Sequence, residues 1–408
     1  MQSPSSALPR MLIYFALSGF ILYLLLADVQ KSQSRLFGPD DVNRRVLIVG
    51  DIHGKFLEFQ NLLGKVNYNP SYDVLVSVGD IVSKGPHSGS MRVLQFMASH
   101  NITAVRGNQD QKVIEWRSWL EYIHSLPGGT RWLYDAHTRW DKARKDGTNV
   151  DKWLEEQFKN DKKYSKWWKR IPDGWQLFGD HYQIAEQMTS FEYAYLIQRP
   201  LKIHIPHAHT FVVHAGVLAS DPNYKPGHKR QPLAHVPTLP KLETESQQEE
   251  TSALRRLQEV AILKDVPQNL KPWNTLNMRG ILKDNTVTRG KDGTPWAELY
   301  NNDMQRCDGF EPEKPDAFPC HPSTVIYGHS ASRGLDIRRW TMGIDTGCVY
   351  GRKLTALVIG GQSDQLSETE EEDIDYDGEA IDVDGNLLSS KVKFGDDGYG
   401  KIQSVPCT

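Results

Sequence analysis

Residues 46–54 read VLIVGDIHG, and this stretch decides the fold. The apolar, β-branched run 46–49 predicts a buried strand that ends at Gly50. Asp51 and His53 follow two positions apart, in a loop where glycine lets the backbone turn both side chains toward one point. Because α/β proteins bind ligands at the carboxyl ends of their strands, the stretch predicts a site at one edge of a sheet.

Four later segments have the same form, a short apolar run followed by a polar side chain that can bind a metal. They are residues 74–78 before Asp80, 103–105 before Asn108, 211–213 before His214, and 324–327 before His329. The first two intervals, 29 and 28 positions, suit a strand, a crossover helix and a loop, which need about 30 residues. With helices predicted over 56–66 and 91–98, the chain begins in βαβα order.

In these motifs and their order the chain resembles the calcineurin-like metallophosphoesterases. More narrowly, it is similar to the branch that holds phosphoprotein phosphatases and bacterial diadenosine tetraphosphatases, and within it to fungal membrane-anchored vacuolar endopolyphosphatases. The resemblance covers residues 45–360 with interruptions, and includes NMRG at 277–280 and IDTGC at 344–348. It implies an α/β fold in which a β-sandwich is flanked by helices, with 45–360 as the metallophosphoesterase domain.

The resemblance implies two divalent metal ions and the residues that hold them. The six implied ligands are Asp51, His53, Asp80, Asn108, His214 and His329. The first two belong to one ion, the third bridges, and the last three belong to the other. Mixed oxygen and imidazole ligands suit zinc, with manganese, cobalt or iron as alternatives. Two such ions activate a hydroxide for in-line attack on phosphorus.

Three cations are implied to bind phosphate oxygens: Lys84, Arg106 and Arg279. Together with Asp80 and Asn108 they form the expected catalytic set, although Arg106 has the alternative role of supporting its loop. The other histidines lack the context of a strand end and are predicted not to bind metal. Two of them, His207 and His209, keep the alternative of orienting the site.

Two positions depart from the branch, which usually has histidine where this chain has Gln109 and, in protein phosphatases, aspartate where it has Ser83. In those relatives the pair protonates the leaving group. Without that acid, cleavage of phosphoanhydrides is favoured, with inorganic polyphosphate as the leading substrate, because a phosphate leaves as a stable anion. The alternatives are a dinucleoside polyphosphate hydrolase, a Ser/Thr protein phosphatase, or a non-enzymatic module that binds polyanions.

A long insertion, residues 111–205, holds eight of the eleven tryptophans and is predicted to form a helical cap. These tryptophans are interpreted as core aromatics, with base or sugar stacking as the alternative. The lysine-rich stretch 159–170 is either a track for a polyanion or a solvated helix face. No specific nucleic-acid partner is predicted.

The amino-terminal residues 11–27 are mostly apolar and predict a single transmembrane anchor, with 1–10 as a cytosolic tail and 28–44 as a linker. A cleaved signal peptide is the alternative. The predicted location is the vacuole membrane with the catalytic domain in the lumen, which the possible glycosylation site at Asn101 permits. A body that faces the cytosol is the alternative.

At the other end, residues 361–408 are predicted to be an acidic, disordered tail. Residues 363–385 carry 11 acidic side chains and no basic one, so omitting them changes the formal net charge from −3 to +8. Residues 218–250 and 286–322 are predicted to be irregular.

The four cysteines leave their pairing open. Cys307 and Cys320 either form a disulfide or remain separate thiols. Cys348 is interpreted as a packing residue, and Cys407 has no predicted partner.

Overall fold

The computed structural model describes residues 44–239, 246–360 and 390–408. The front of the chain alternates as predicted, and its elements are β1 (Arg45–Val49), α1 (Phe56–Lys65), β2 (Asp73–Ser77), α2 (His87–Ser99) and β3 (Thr103–Ala104). All five residues of β2 are buried, as is usual for a strand that lies between two parallel neighbours. The helix α1 buries Phe59 and Leu62, whose spacing gives it one apolar face.

The remaining elements follow in chain order. The helices are α3 (Asn108–Ser125), α4 (Gly129–Lys145), α5 (Val150–Asn160), α6 (Ser165–Trp168), α7 (Asp180–Gln187), α8 (Ser190–Ile197), α9 (Gln247–Asp265), α10 (Pro272–Asn277) and α11 (Trp296–Met304). The strands are β4 (Lys202–Ile205), β5 (Thr210–Val213), β6 (Gly280–Ile281), β7 (Val287–Thr288), β8 (Thr294–Pro295), β9 (Thr324–Tyr327), β10 (Asp336–Ile337), β11 (Thr341–Gly343), β12 (Lys353–Ile359), β13 (Lys391–Phe394) and β14 (Gly398–Pro406).

Two mixed sheets form the centre of the molecule. One has the strand order β13-β14-β12-β1-β2-β3 and the other β10-β11-β9-β5-β4. Side chains from both sheets share one apolar cluster, in which Ile48 and Val76 of the first sheet and Ile326 of the second are fully buried. Further apolar clusters join the sheets to the helices, so the predicted α/β architecture with flanking helices is confirmed.

Parallel pairing brings the predicted site residues to one edge. The strand β1 runs parallel to β2, and β2 to β3, while in the second sheet β5 runs parallel to β9. The carboxyl ends of these strands therefore face the same way, and the loops that follow them carry the polar residues.

The predicted insertion 111–205 is largely helical, from α3 to α8, but its last residues form β4 (Lys202–Ile205), which belongs to the second sheet. Its tryptophans are mostly buried and contact one another. Trp132 is fully buried and stacks on Trp167 with 5.6 Å between ring centroids, and Trp168 meets it edge-on at 5.5 Å. They serve as core aromatics rather than as exposed stacking surfaces.

The carboxyl terminus returns to the fold, although the sequence analysis ended the domain at residue 360. The strand β14 pairs antiparallel with β12 over seven residue pairs, from Lys353 with Pro406 to Ile359 with Gly400. The acidic, disordered tail was predicted over 361–408. Residues 390–408 instead contain β13 and β14, and 361–389 lie outside the described residues. The sequence missed β14 because its alternation of apolar and polar residues is weak.

Two disulfides are present. One joins Cys307 to Cys320, the pairing that the sequence left open. The other joins Cys348 to Cys407 and corrects the interpretation of Cys348 as a packing residue. This second disulfide ties the loop after β11 to the end of β14.

Replacing Cys407 with serine is expected to lower the free energy of unfolding by about 2–4 kcal/mol, because the disulfide closes a long loop in the unfolded chain. The sequence separation is 59 residues, against 13 for the other disulfide. Urea unfolding of the C407S and C307S variants measures how much free energy of unfolding is lost with each disulfide. A loss for C407S no larger than experimental error would contradict the structural role of the carboxyl-terminal strand.

Both segments predicted to be irregular contain regular structure, since 218–250 includes the start of α9 and 286–322 includes β7 and β8. Residues 286–322 contain the helix α11, whose Trp296 and Tyr300 are fully buried in the second sheet's helical layer. Glycines and prolines surround this helix on both sides, so the sequence pattern did not indicate it.

The localisation prediction is also corrected. Within the described ranges, no helix is long and apolar enough to cross a membrane. The predicted anchor 11–27 and the tail 1–10 lie outside the described residues, as does all but the last residue of the linker 28–44. The assignment to a vacuole membrane, in either orientation, is withdrawn.

Candidate active site

The loops at the sheet edge bring together all six residues that were predicted as metal ligands, here called the ligand cluster. Asp80 lies at its centre. Its Oδ2 is 3.7 Å from Nε2 of His53, and its Oδ1 is 3.4 Å from Nε2 of His214. The two oxygens of one carboxylate therefore face two different groups of ligand atoms.

Each group is compact. On one side, Oδ2 of Asp51 lies 3.9 Å from Nε2 of His53. On the other, Oδ1 of Asn108 lies 3.0 Å from Nε2 of His214 and 3.1 Å from Nδ1 of His329. The candidate ligand atoms thus form two groups about a central carboxylate, and the division between two ions stays a prediction.

The electrostatics of the cluster suit divalent cations. Burial raises the pKa of Asp51 well above its usual value, with further contributions from the charges of Asp345 and Asp80. Burial also raises the pKa of Asp80 to about 6. A cation bound between these carboxylates would favour their charged forms and offset the cost of burying them.

The imidazoles are in the form that binds metal. Burial lowers the pKa of His53 to about 3 and that of His214 to about 4, so both rings are neutral. Nδ1 of His214 donates to the carbonyl oxygen of Val78 at 2.9 Å, which leaves the lone pair on Nε2 directed at Asp80 and Asn108. Nε2 of His329 is buried and has no hydrogen-bond partner within the described part of the chain. The residues present therefore fit two metal ions.

Unusual backbone geometry holds the ligands in place. His53, Asp80 and His329 have positive φ angles of 48°, 49° and 68°. Conformations of this kind cost about 1–3 kcal/mol each and persist only where the surroundings enforce them. Gly107 and Gly328 allow the loops to approach, because a Cβ on them would lie 2.1 Å from Oδ1 of Asp80 and 2.0 Å from Oδ1 of Asp51.

A cavity of about 530 Å³ opens over the ligand cluster. Five cationic side chains line it: Lys84, Lys112, Arg279, Arg289 and Lys291. Two of these, Lys84 and Arg279, were predicted to bind phosphate, and the structure places both at the cavity. The cavity is therefore suited to a substrate with several negative charges.

Arg106 is not among the residues that line the cavity, so its contact with phosphate stays a prediction that the cavity does not support. Its guanidinium donates to Oε1 of Gln111 at 2.9 Å and to the carbonyl oxygen of Ile197 at 2.5 Å. Arg106 thus supports its loop and the α8 end of the insertion, the alternative role noted from the sequence.

The remaining candidate histidines lie elsewhere. Neither His207 nor His209, the two with the alternative role of orienting the site, lines the cavity. His204 and His209 instead contact the two oxygens of Glu259 at 2.6 and 2.7 Å. The lysine-rich stretch 159–170 likewise does not line the cavity, and its lysines are exposed.

Sequence reasoning missed several residues of the site. Asp345 is buried, lines the cavity and raises the pKa of Asp51, and its only signal was its place in the IDTGC motif. Asp110 is buried and accepts hydrogen bonds from the backbone N–H of Ile81 and of Gly107, so it ties the loop after β2 to the start of α3. Lys112, Arg289 and Lys291 gave no signal, because the fold rather than a motif brings them to the cavity.

Known proteins resemble parts of this chain. It is 51% identical over 65 residues to the symmetrical bis(5'-nucleosyl)-tetraphosphatase of Haemophilus ducreyi, covering 15% of this chain and 23% of that protein. It is 37% identical over 90 residues to serine/threonine-protein phosphatase 1 of Salmonella typhimurium, covering 22% and 41%. The matches thus span less than half the length of these curated relatives.

A solved structure of a Saccharomyces cerevisiae serine/threonine phosphatase is 10% identical, with a TM-score of 0.34, and the alignment covers 94% of this chain and 90% of that one. The family model described as calcineurin-like phosphoesterase matches residues 44–333, well over half of the chain. With the ligand cluster at the predicted sheet edge, the protein belongs to the calcineurin-like phosphoesterase family.

Proposed function

We propose that this protein hydrolyses phosphoanhydride bonds and that inorganic polyphosphate is its leading substrate. The observation that carries the proposal is the cavity, which combines a metal-binding cluster with five cationic side chains. A chain of phosphates carries about one negative charge per unit and would neutralise several of these cations at once.

The ligand cluster would hold two divalent ions, with zinc as the first choice. When bound, such ions supply an acidified water and neutralise charge on the phosphoryl oxygens. The protein's own cations complete the neutralisation. Arg279, Lys84, Lys112, Arg289 and Lys291 all line the cavity. In this proposal the first two would hold oxygens of the reacting phosphate, and the other three would hold those farther along the chain.

The proposed substrate and a phosphoserine differ in their leaving groups. Gln109 lines the cavity, and a carboxamide cannot transfer a proton to a leaving oxygen, although it can donate a hydrogen bond. A serine alkoxide needs that proton, whereas a departing phosphate is already stable as an anion. Anhydride cleavage therefore fits the residues present better than phosphomonoester cleavage does.

A dinucleoside polyphosphate is the second candidate substrate, and Tyr350 favours it. This side chain lines the cavity and is 64% exposed, so its ring is free to stack on a nucleobase. A serine/threonine phosphatase and a module that binds polyanions without cleaving them remain the weaker alternatives.

A turnover assay on the purified protein tests the proposal. Long-chain polyphosphate, diadenosine tetraphosphate, a capped RNA and a phosphoserine peptide are each offered with zinc, manganese, cobalt and magnesium. We expect metal-dependent release of shorter polyphosphates at the highest rate. Tight binding of polyphosphate without cleavage under any metal would instead indicate a binding module.

Arg289 and Lys291, the exposed cations that directly follow β7, are here called the two outer cations. Replacing both with alanine is expected to raise KM for long polyphosphate by on the order of 10-fold, with a smaller change in kcat, because surface charges act mainly on encounter and binding. The dependence of kcat/KM on salt should weaken in the same variant. Initial rates across a series of salt concentrations measure both effects.

The matched control is K283A, because Lys283 is an exposed lysine in the turn between β6 and β7 and does not line the cavity. It should leave KM within about twofold of the unchanged protein. An equal rise in KM for both variants would indicate a general charge effect and contradict a binding role for the two outer cations.

A further inference from the structure

A second contact network lies behind the ligand cluster, centred on His181. This residue is the second of α7, in the insertion, and it does not line the cavity. Its Nε2 is 2.8 Å from Oε1 of Gln109 and 3.0 Å from Oγ of Ser83. The insertion thus places an imidazole directly against Ser83 and Gln109, the two positions at which the chain departs from the branch that it resembles.

The hydrogen-bond directions in this network follow from its chemistry. The Ser83 hydroxyl donates to Oδ2 of Asp180 at 2.6 Å, and a carboxylate can only accept. The Ser83 oxygen is therefore left as an acceptor, so Nε2 of His181 carries the hydrogen that it shares with Ser83 and Gln109. A neutral ring meets this requirement, and burial, then the charge of Lys112, lowers the pKa of His181 to about 4.

The network is anchored firmly. Oδ2 of Asp180 also accepts from the backbone N–H of Lys84 at 2.7 Å, and Ser83 is fully buried. The next residue of α7, Tyr182, is buried against Phe178 and Trp116, with ring centroids at 5.1 and 5.4 Å. The aromatic core of the insertion therefore fixes the position of His181.

We propose that His181, held by Ser83 and Asp180, positions the Gln109 carboxamide so that its NH₂ group faces the cavity and donates to an oxygen of the phosphate chain. The carboxamide oxygen is held from behind by His181, and the backbone N–H of Gln109 is held by Oδ1 of Asp80 at 2.8 Å. The NH₂ group is what remains for the substrate.

This inference rests on the proposed function and defines it further. A fixed NH₂ group stabilises negative charge on a phosphate oxygen without transferring a proton, which is sufficient for a phosphate leaving group. In this proposal His181 is a positioning residue, because it acts through Gln109 and has no contact with the substrate.

A double-mutant cycle tests the proposal, with long-chain polyphosphate and p-nitrophenyl phosphate as the two substrates. H181L removes the Nε2–H donor and keeps a side chain of similar size. We expect kcat to fall about 10-fold with KM nearly unchanged. H181Q restores an N–H near the same place and should recover most of that rate. In a Q109A background, which alone should cost on the order of 10²-fold, H181L should change kcat less than about twofold.

The control is H87A, which breaks a hydrogen bond of 2.8 Å between His87 and Gln187, a residue at the other end of α7. It should leave kcat within about twofold. If H181L does not fold, as judged by circular dichroism and thermal unfolding, S83A replaces it in the cycle, with a smaller expected loss that also vanishes in the Q109A background.

The two proposals can fail separately. An equal loss for H181L with and without Gln109, or no recovery with H181Q, would overturn the positioning role on either substrate. If the unchanged protein cleaves p-nitrophenyl phosphate but not polyphosphate, the proposed function fails, and the cycle on p-nitrophenyl phosphate still decides the role of His181.

Discussion

Replacing Asp80 with asparagine is expected to lower kcat by on the order of 10³-fold and to reduce the metal content of the protein. The substitution keeps the size of the side chain and an oxygen that can accept the Gln109 backbone hydrogen bond. It removes the negative charge from the one carboxylate whose two oxygens face both groups of ligand atoms, at 3.7 Å from His53 and 3.4 Å from His214. H329A should have a similar effect from one side of the cluster.

Metal analysis after dialysis, together with kcat, measures the effect. The matched control is D73N. Asp73 is a buried carboxylate like Asp80, but it lies in β2, pairs with Arg45 at 2.7 Å and does not line the cavity. D73N should cost stability and keep the bound metal and kcat. Unchanged activity in D80N or in H329A would refute the assignment of the ligand cluster.

Changing Gln109 to histidine is expected to raise the ratio of phosphoserine cleavage to polyphosphate cleavage by on the order of 10²-fold, the lower end of what a positioned acid contributes. The imidazole can protonate a serine alkoxide, which has no other proton donor at this position. A departing polyphosphate needs no proton, so its rate should change much less. Rates on a phosphoserine peptide and on polyphosphate with the same metal give the ratio.

The control for this variant is Q111H. Gln111 lies two positions farther along α3, where its Oε1 accepts from Arg106 at 2.9 Å, and it does not line the cavity. The ratio of the two rates should stay near that of the unchanged protein. An equal gain on both substrates in Q109H would show that the leaving group is not what limits phosphoserine cleavage.

The positions of the ligand cluster could be predicted from the sequence because each ligand follows a short apolar strand. Local pattern places Asp51 and Asp80 at strand ends, and parallel pairing of β1 with β2 then brings those ends to one edge. Lys84 and Arg279 were predicted from the family resemblance rather than from this pattern, and they lie in motifs next to the ligands. At the ligand positions the strand-end pattern in the sequence and the parallel pairing in the fold lead to the same site.

The rest of the site depends on contacts that no local pattern records. His181 lies 72 residues after Gln109, in an insertion whose aromatic pattern indicates only a core. Arg289 and Lys291 reach the cavity on the short hairpin of β6 and β7 and the loop that follows it. The pairing of Cys348 with Cys407 requires β14, which follows the acidic segment and has only weak alternation.

The central claim is that the site prefers phosphoanhydrides, because their leaving group is a stable anion that needs no proton donor. Its most direct test is kcat/KM for long-chain polyphosphate divided by kcat/KM for a phosphoserine peptide, measured on one metal-loaded preparation of the unchanged protein. We expect polyphosphate to be favoured by about 10²-fold or more, the contribution of the absent acid. Faster cleavage of the phosphoserine peptide would contradict the claim.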